Sequence, residues 1–449
     1  MFLSEITGAL GGNLLGGDGQ FTSVSIDTRR LRAGDLYVAI KGANFDGNDF
    51  VADAERNGAC GAIVSHSVPV ELPQLVVKDT TLALGQLAAL NRQASVARVA
   101  GITGSQGKTT VKEMAGAILS VAGETLVTQG NLNNAIGVPL TLLQLNTEHR
   151  FGVIEMGANH GGEIAYSVNL VKPDVAIITN AARAHIEGFG SLEGVCKGKG
   201  EIIEGLGPDG TMVLNYDDRF FATWKERAGD RRVVSFSCEN SKADYFASRI
   251  ETDASGRTCF LLQGRGVQVP VRLALLGRHN VGNAVAAAAL AIETGANLEQ
   301  VRAGLESIRP VKGRLHVVDN VFGGRLIDDS YNASPESFKA AIDVLAELEG
   351  HRILLMGDMA ELGSSTLDAH REIGVYARDA GVNELWAVGQ ASGTSATIFG
   401  QGGRQFEDKK QIVEHCKASL RPGVTLLIKG SRRAGLDEIV RALGDSHGV

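Results

Sequence analysis

Residues 96–123 contain an apolar stretch, a glycine-rich loop and a helical pattern, and this order strongly limits the folds open to the chain. The sequence predicts a buried strand from Val96 to Ile102, the loop "GITGSQGKTT", and an amphipathic helix that ends at Gly123. Glycines let the backbone of such a loop approach phosphate oxygens, and the helix start offers free N–H groups. An ordinary P-loop needs a glycine at position 102, which is Ile here. The segment still predicts a phosphate site, formed by Gly104, Gly107, Lys108, Thr109 and Thr110.

Apolar strands alternate with helices along most of the 449 residues. "FGVIEMG", "DVAIITN" and "TMVLN" follow the loop, and "GRLIDDS", "RILLMGD", "ELWAVG" and "VTLLIKG" form a later group. Continuous apolar strands between helices indicate a parallel sheet covered on both faces, and the chain is too long for one core. We predict an α/β protein of three domains. These are a small N-terminal α/β domain at 1–82, a central P-loop-like mononucleotide-binding domain with a mostly parallel sheet at 83–312, and a Rossmann-like C-terminal domain at 313–449.

Composition excludes several classes of protein. The net charge of -7 argues against a protein that coats nucleic acid, so we expect no nucleic-acid partner. The five cysteines are widely spaced and form no C-x-x-C pair, which favours reduced thiols. The first residues lack the pattern of a signal peptide, and no apolar run approaches the length of a membrane span. We therefore expect a cytoplasmic protein without membrane insertion, and a monomer.

Two candidate metal ligands follow apolar strands of the central domain. Glu155 ends the strand "FGVIE", and His185 follows "DVAIITN" in "TNAARAHIEGFG". A lone His is more often structural, but a Glu and a His at neighbouring strand ends of a nucleotide domain favour a metal site. "GLGPDG" at 205–210 matches a dinucleotide fingerprint, yet it follows a predicted helix and precedes a strand. We interpret "GLGPDG" as a turn.

Two polar segments each allow two interpretations. "GRHNVGNAVAAAA" places His279, Asn280 and Asn283 at the start of an alanine-rich helix. Asn280 is either a helix cap, or one of several amides that bind a purine edge. "DDSYNASP" at 328–335 is either a plain cap or part of a site that faces the nucleotide from the third domain.

Taken together, these segments resemble the Mur ligases, ATP-dependent amide-forming enzymes of peptidoglycan precursor synthesis. The family's ATP loop departs from the P-loop spacing as "TGSQGKTT" does, and the other segments occur in the family's order over nearly the whole chain. Four finer motifs resemble the member that adds D-alanyl-D-alanine to UDP-N-acetylmuramoyl-tripeptide. They are "SIDTRRLRAGDLYVAIKGANFDGNDF", "TQGNLNNAIGVPLTLL", "LLMGDMAELG" and "IKGSRRAGLDEIV". Ser334 and Asn48 depart from the usual Asn and His of that pattern.

The resemblance implies transfer of the ATP γ-phosphoryl group to the tripeptide carboxylate, then attack by the dipeptide amine on the acyl phosphate. It implies two Mg²⁺ ions, with Thr109 and Glu155 at the first and His185 at the second. Lys108 would neutralise phosphate charge, Asn280 would contact adenine, Asp329 the ribose and Arg314 the γ-phosphate. His279 and Asn283 complete the expected nucleotide site. The expected substrate residues are Asp27, Thr28, Arg29 and Asp46 for the UDP end, with Asn133, Asn134, Asn332 and Arg432.

The segment "CKGKGEII" contains two lysines, and the simplest interpretation is a solvated helix face. Lys199 resembles the lysine that several Mur ligases carry as a carbamate, which would give the second Mg²⁺ an anionic oxygen ligand. Two alternative functions stay open: another amino acid ligase of the superfamily, such as folylpolyglutamate synthase, and a non-catalytic nucleotide-binding regulator.

Overall fold

The computed structural model describes residues 1–183, 186–253, 257–320 and 322–444. Within these residues the chain forms three sheets, one after another along the sequence. The α/β architecture with a mostly parallel central sheet confirms the predicted fold class. The three sheets occupy residues 13–76, 98–273 and 316–429, and we refer to the parts around them as the first, central and third units.

The first unit has a five-stranded sheet in the order β1-β5-β4-β3-β2, in which β1 is antiparallel to β5. Its strands are β1 Asn13–Leu15, β2 Val24–Ser25, β3 Leu36–Val38, β4 Gly61–Val64 and β5 Gln74–Val76. Its helices are α1 Leu3–Leu10, α2 Val51–Arg56 and α3 Thr80–Ala94. Short apolar strands such as β3 are fully buried, because helices cover both faces of the sheet.

The central unit has a nine-stranded sheet in the order β14-β13-β12-β11-β10-β9-β6-β8-β7. Its strands are β6 Arg98–Thr103, β7 Thr125–Val127, β8 Phe151–Glu155, β9 Val175–Ile178, β10 Thr211–Asn215, β11 Arg232–Ser237, β12 Tyr245–Thr252, β13 Thr258–Gly264 and β14 Val267–Leu273. Its helices are α4 Lys108–Ala122, α5 Gly137–Leu142, α6 Glu163–Val171, α7 Ile186–Phe189, α8 Leu192–Gly200, α9 Phe221–Ala228, α10 His279–Thr294 and α11 Leu298–Ser307.

Strand order in the central sheet determines where a ligand can bind. β6 lies between β9 and β8, so the chain leaves β6 and returns on both of its sides. In open α/β sheets a crevice forms at this point, beyond the carboxyl ends of the strands. The loops after β6, β8 and β9 therefore meet at one edge. Helices α4 and α10 pack on one face of the sheet, and their small residues, such as Ala115 and Ala284, are fully buried there.

The third unit has a six-stranded sheet in the order β15-β16-β20-β17-β18-β19, with β15 antiparallel to β16. Its strands are β15 His316–Val318, β16 Arg325–Asp329, β17 His351–Gly357, β18 Glu384–Val388, β19 Gly403–Phe406 and β20 Val424–Lys429. Its helices are α12 Pro335–Ala346, α13 Thr366–Asp379, α14 Gln390–Phe399, α15 Lys409–Ser419 and α16 Asp437–Leu443. Apolar cores lie on both faces of the sheet. No helix of the described part of the chain is long and apolar enough to cross a membrane.

Candidate active site

A cleft of about 870 Å³ lies between the central and third units, at the carboxyl edge of the central sheet. Most of the residues that the sequence predicts as a nucleotide and substrate site line it. They are Gly107, Lys108, Thr109, Thr110, Asn133, Asn134, Glu155, His279, Asn280, Asn283, Arg314, Asp329, Asn332 and Arg432. The strand order of the central sheet brings the side chains after β6 and β8 to one edge, and the packing of the third unit on the central unit adds those at the end of β16.

The loop before α4 is folded for close approach of a ligand to its backbone. Gly104 has φ 146° and Gly107 has φ 77°, values in which a side chain would strain the backbone. A Cβ atom on Gly107 would lie 2.5 Å from Asn283 Oδ1, and one on Gly104 would overlap Thr179 Oγ1. Gly104 does not itself line the cleft. These two positions need glycine because the loop packs tightly against Thr179 and Asn283.

The Lys108 ammonium group folds back over the loop. It donates to the carbonyl oxygens of Gly104 and Ser105, at 2.6 and 3.2 Å. Burial lowers the pKa of Lys108; nearby Glu155 opposes this effect and Arg314 adds to it. Two cations close together in a cleft favour an anionic ligand, because phosphate oxygens would relieve their repulsion.

Glu155 lies at the end of β8 and is 1% exposed. Its Oε1 accepts hydrogen bonds from the Asn133 amide at 2.7 Å and the Thr109 hydroxyl at 3.4 Å. Its Oε2 is buried and has no hydrogen-bond partner among the described residues. An unsatisfied carboxylate oxygen is costly to bury, and beside a threonine hydroxyl it fits a hard cation such as Mg²⁺.

The predicted second metal site is described only in part. His185 lies outside the described residues. Among the described residues no group of three or more His, Cys, Asp or Glu side chains could hold a metal ion. A metal at Thr109 and Glu155 would therefore need further ligands from phosphate oxygens or water. Both are common for Mg²⁺.

The two lysines of "CKGKGEII" lie in different surroundings. Lys197 is exposed, as the solvated interpretation predicts. Lys199 is 1% exposed; its ammonium group donates to the Ala158 carbonyl at 3.1 Å and lies 5.0 Å from the centre of the Phe189 ring. Burial, with a further contribution from the charge of Lys108, lowers the pKa of Lys199 to about 7. Lys199 lies behind Ala158, a residue of the cleft wall.

The third unit contributes a cation to the phosphate side of the cleft. Arg314 donates from Nη2 to the Thr109 hydroxyl at 3.0 Å, across 205 residues of sequence, and its guanidinium group stacks on Tyr331 at 4.6 Å. Asp329, at the end of β16, pairs with Lys429 at 2.6 Å. Lys429 also donates to the Asn332 carbonyl at 3.0 Å. Asp329 therefore does not act as a helix cap.

The structure shows which side chains of the two polar segments cap a helix. Asn280 donates to the Leu276 carbonyl at 2.7 Å and accepts from the Asn283 amide at 3.0 Å, and neither contact is a cap. In "DDSYNASP" the cap of α12 is Ser334, which accepts from Ser337 N. Gln106 of the phosphate loop donates to the same Ser334 hydroxyl at 2.9 Å. Ser334 therefore connects the central and third units.

The residues predicted for the UDP end of a substrate lie in the first unit and do not line the cleft. Asp27 is paired with Arg29 at 2.8 Å, next to Thr28. Asp46 accepts from the Asn48 amide at 2.6 Å. Asn48 also donates to Ser65 at 2.9 Å, so an asparagine at this position holds two loops of the first unit together.

Sequence reasoning missed two charged residues that line the cleft and one that is buried behind its wall. Lys429 is the last residue of the buried strand β20, a position that could have suggested a role like that of Glu155. Arg183 bonds across the cleft to Glu336 at 2.8 Å and Glu372 at 3.1 Å. Lys112 is fully buried on α4, although its place in a helix gives no sign of this in the sequence.

The fold and the cleft are those of a nucleotide-binding α/β protein, with the phosphate loop in one unit and basic side chains in another. Family models match along the chain: the Mur ligase family catalytic domain at residues 20–92, the Mur ligase middle domain at 102–291, and the Mur ligase, glutamate ligase domain at 313–432. The chain belongs to the Mur ligase family.

Relatives and solved structures agree with this membership. The chain is 46% identical to the UDP-N-acetylmuramoyl-tripeptide--D-alanyl-D-alanine ligase of Escherichia coli (strain K12), over 99% of this chain and 98% of that protein. It is similar to MurF from Acinetobacter baumannii at 36% identity and a TM-score of 0.91, covering 98% and 97% of the two chains. The MurF ligase from Thermotoga maritima, solved in complex with ADP, is 26% identical with a TM-score of 0.82, covering 94% and 96%.

Proposed function

We propose that this chain is the ATP-dependent ligase that joins D-alanyl-D-alanine to UDP-N-acetylmuramoyl-tripeptide in peptidoglycan precursor synthesis. The observation that carries the proposal is the 46% identity to the Escherichia coli enzyme of that name, over 99% of this chain. The monomeric state and the cytoplasmic location stay predictions from the sequence.

The reaction has two steps. A carboxylate oxygen of the tripeptide attacks the γ-phosphorus of ATP, the bond to the β–γ bridging oxygen breaks, and ADP and an acyl phosphate result. The dipeptide amine then attacks the acyl carbon and loses a proton, and the bond from that carbon to the phosphate oxygen breaks. Activation is needed because a carboxylate does not exchange an oxygen for an amine at useful rates.

Phosphoryl transfer depends mainly on positioning and on neutralisation of charge. We assign this neutralisation to Lys108 from the central unit and Arg314 from the third unit. Lys108 lies over the loop, and Arg314 reaches Thr109 at 3.0 Å. Because the two cations belong to different units, the site is complete only when the units are together. Closure also excludes water, which would otherwise hydrolyse the acyl phosphate.

Mg²⁺ fits the pair formed by Thr109 and Glu155, since Glu155 Oε2 is buried without a partner among the described residues. When bound, Mg²⁺ would screen the phosphate charge and orient the γ-phosphoryl group. Thr109 and Glu155 would supply two oxygen ligands. We assign His185 to the second ion on the family resemblance.

We further propose that Lys199 carries a carbamate. Carbamate formation requires a neutral amine, whose nitrogen bonds to the carbon of CO₂ and loses a proton. A pKa of about 7, caused first by burial, keeps a large fraction of the Lys199 amine neutral at physiological pH. The product carries anionic oxygens that suit the second Mg²⁺. The bare amine bonds the Ala158 carbonyl, in the wall of the cleft.

The remaining assignments divide the substrates among the units. We assign one side of the cleft to the adenine, and it is lined by His279, Asn280 and Asn283. We assign Asp329, which also lines the cleft, to the ribose. Asp27, Thr28, Arg29 and Asp46 would hold the UDP end on the first unit. Asn133 and Asn134 would face the peptide of that substrate. Asn332 and Arg432, from the third unit, would hold the dipeptide.

The test is phosphate release with ATP, Mg²⁺ and UDP-N-acetylmuramoyl-tripeptide, made with diaminopimelate or with lysine at the third position. We expect turnover with D-alanyl-D-alanine and none with free glutamate or diaminopimelate. Turnover with a single amino acid and not with the dipeptide would identify another ligase of the family. ATP binding without dipeptide-dependent phosphate release would identify a non-catalytic nucleotide-binding regulator.

A further inference from the structure

Lys112 is a buried cation for which the reaction described above has no use. It lies on α4 four residues after Lys108, and its side chain is 0% exposed. Its ammonium group donates to the carbonyl oxygens of Thr128 at 2.8 Å and Gly130 at 3.4 Å, and pairs with Glu113 at 2.7 Å. Lysine is almost never fully buried unless it is paired. A buried charge of this kind needs a structural or functional reason.

The two carbonyl groups belong to residues 128–134, which we call the asparagine segment. Gly130, Asn131, Asn133 and Asn134 of this segment line the cleft. At one end the Thr128 hydroxyl accepts from the Glu155 N–H at 3.0 Å. Near the other end the Asn133 amide donates to Glu155 Oε1 at 2.7 Å. The asparagine segment therefore binds Glu155 at two points, the backbone N–H of Glu155 and its carboxylate.

We infer that Lys112 is a positioning residue that holds the asparagine segment on α4, so that Asn133 stays on Glu155. The same helix begins at the phosphate loop. Lys112 thus fixes the distance between the phosphate site and the wall that faces the acceptor substrate. An ammonium group suits this task because its three donors can bind backbone carbonyl oxygens from several directions. This inference rests on the proposed function and assigns a positioning residue for the same site.

The experiment compares Lys112→Met, which keeps the length and removes the donors, with Lys112→Arg, which keeps a charge and donors. The exposed Lys225 of α9 provides the matched control, Lys225→Met. The full-length protein is used throughout. The readouts are the KM values for UDP-N-acetylmuramoyl-tripeptide, ATP and D-alanyl-D-alanine, the Mg²⁺ concentration for half-maximal rate, and Mg²⁺-free binding of ADP.

For Lys112→Met we expect the tripeptide KM and the Mg²⁺ requirement to rise by about tenfold or more, since small displacements of positioning groups are costly. The dipeptide KM should stay within about twofold, because we assign the dipeptide to the third unit. Mg²⁺-free ADP binding should also stay within about twofold, because the phosphate loop precedes Lys112 in the chain. Lys112→Arg should restore part of the loss, and Lys225→Met should behave as the parent protein.

Two results would overturn the inference. The first is a Lys112→Met variant with unchanged KM values and an unchanged Mg²⁺ requirement. The second is a variant in which all KM values rise and ADP binding weakens in parallel, which would show a purely structural role. If Lys112→Met fails to fold, Lys112→Arg is tested in its place. A smaller rise in the tripeptide KM and the Mg²⁺ requirement, with the dipeptide KM and ADP binding unchanged, would then support the inference. Failure of the proposed function is distinguishable, since the parent protein itself would then show no dipeptide-dependent turnover.

Discussion

Lys199→Met should stabilise the protein and at the same time remove its activity. Lys199 is 1% exposed, and the pKa of its amine is about 7 because burial disfavours the charge. In the unfolded chain the same amine has the ordinary value of 10.5. Folding therefore has to neutralise Lys199 or bury its charge. Methionine fills a similar volume without a titratable group.

The magnitude follows from the two pKa values. At pH 7.5, about three units below the ordinary lysine pKa, keeping the amine neutral costs about 4 kcal/mol at about 1.4 kcal/mol per unit. The variant loses the hydrogen bond to the Ala158 carbonyl, which reduces this gain in stability by about 1 kcal/mol. Altered packing on Phe189 reduces it by about 1 kcal/mol more. We expect a net gain of about 2 kcal/mol, or about 4–8 °C in the melting temperature of the central unit.

The dependence on pH has a definite sign. The folded-state pKa of Lys199 is below the unfolded value, so between about pH 7 and 10.5 the unfolded chain binds more protons. Stability of the parent protein therefore rises with pH across this window. The advantage of Lys199→Met, about 2 kcal/mol at pH 7.5, is largest at and below pH 7 and falls by about 1.4 kcal/mol per unit above it. It vanishes at about pH 9 and reverses at higher pH, where the lost hydrogen bond and packing outweigh the cost of a neutral amine.

The assay is thermal unfolding at several pH values in CO₂-free buffer, together with phosphate release. Lys199→Met should lose about 100-fold or more in rate, since it cannot form the carbamate that we propose as a ligand of the second Mg²⁺. Added bicarbonate should raise the melting temperature and the activity of the parent protein, and should leave Lys199→Met unchanged. Short carboxylates should restore part of the activity of Lys199→Ala, and Lys197→Ala should be mild. A Lys199→Met variant that is destabilised at pH 7.5, or one that is fully active, would refute the reasoning.

The remaining predictions concern the phosphate loop and the contact between units. Lys108→Ala should lower kcat/KM by about 1,000-fold with an unchanged melting temperature, and a folded variant with near-normal turnover would contradict the assignment of the loop to ATP. Gly107→Ala should weaken ADP binding by about tenfold or more through its φ of 77°, as measured by calorimetry. Gly207→Ala is the control, since a Cβ there meets no described atom within 4 Å. Arg183→Ala removes partly exposed ion pairs worth about 1 kcal/mol between the central and third units. It should raise the ATP KM about two- to fivefold at low salt, and the difference from the parent should disappear in about 0.5 M salt; an unchanged KM at low salt would show that these pairs do not hold the units together.

Local patterns in the sequence were sufficient for the fold class and for the residues most concentrated in motifs. Apolar runs, glycine positions and helix starts act over a few residues, so the phosphate loop and the strand that ends at Glu155 could be recognised directly. The predicted start of the strand before the loop, Val96, lies two residues outside β6, because Val96 and Ala97 do not pair with neighbouring strands. The antiparallel strands β13 and β14 were not predicted, although residues 267–273, "VQVPVRL", carry apolar side chains at alternate positions as a half-buried strand does.

Whether a polar side chain is buried, and what it bonds, depends on residues far away in the sequence. Lys197 and Lys199 are two residues apart on one helix, yet one is exposed and the other is buried, because only one side of α8 packs on the central unit. Lys112 is similarly buried by a segment 16–18 residues further along the chain.

The sequence by itself determined the α/β class and the phosphate loop, and through its motifs the family. Tertiary structure decided which side chains meet in the cleft. Arg314 reaches Thr109 across 205 residues, and Lys429 reaches Asp329 across 100. Such contacts are set by the order of strands in a sheet and by the packing of one unit on another. A local pattern cannot encode these contacts, because each one depends on how all of the chain between the two residues folds.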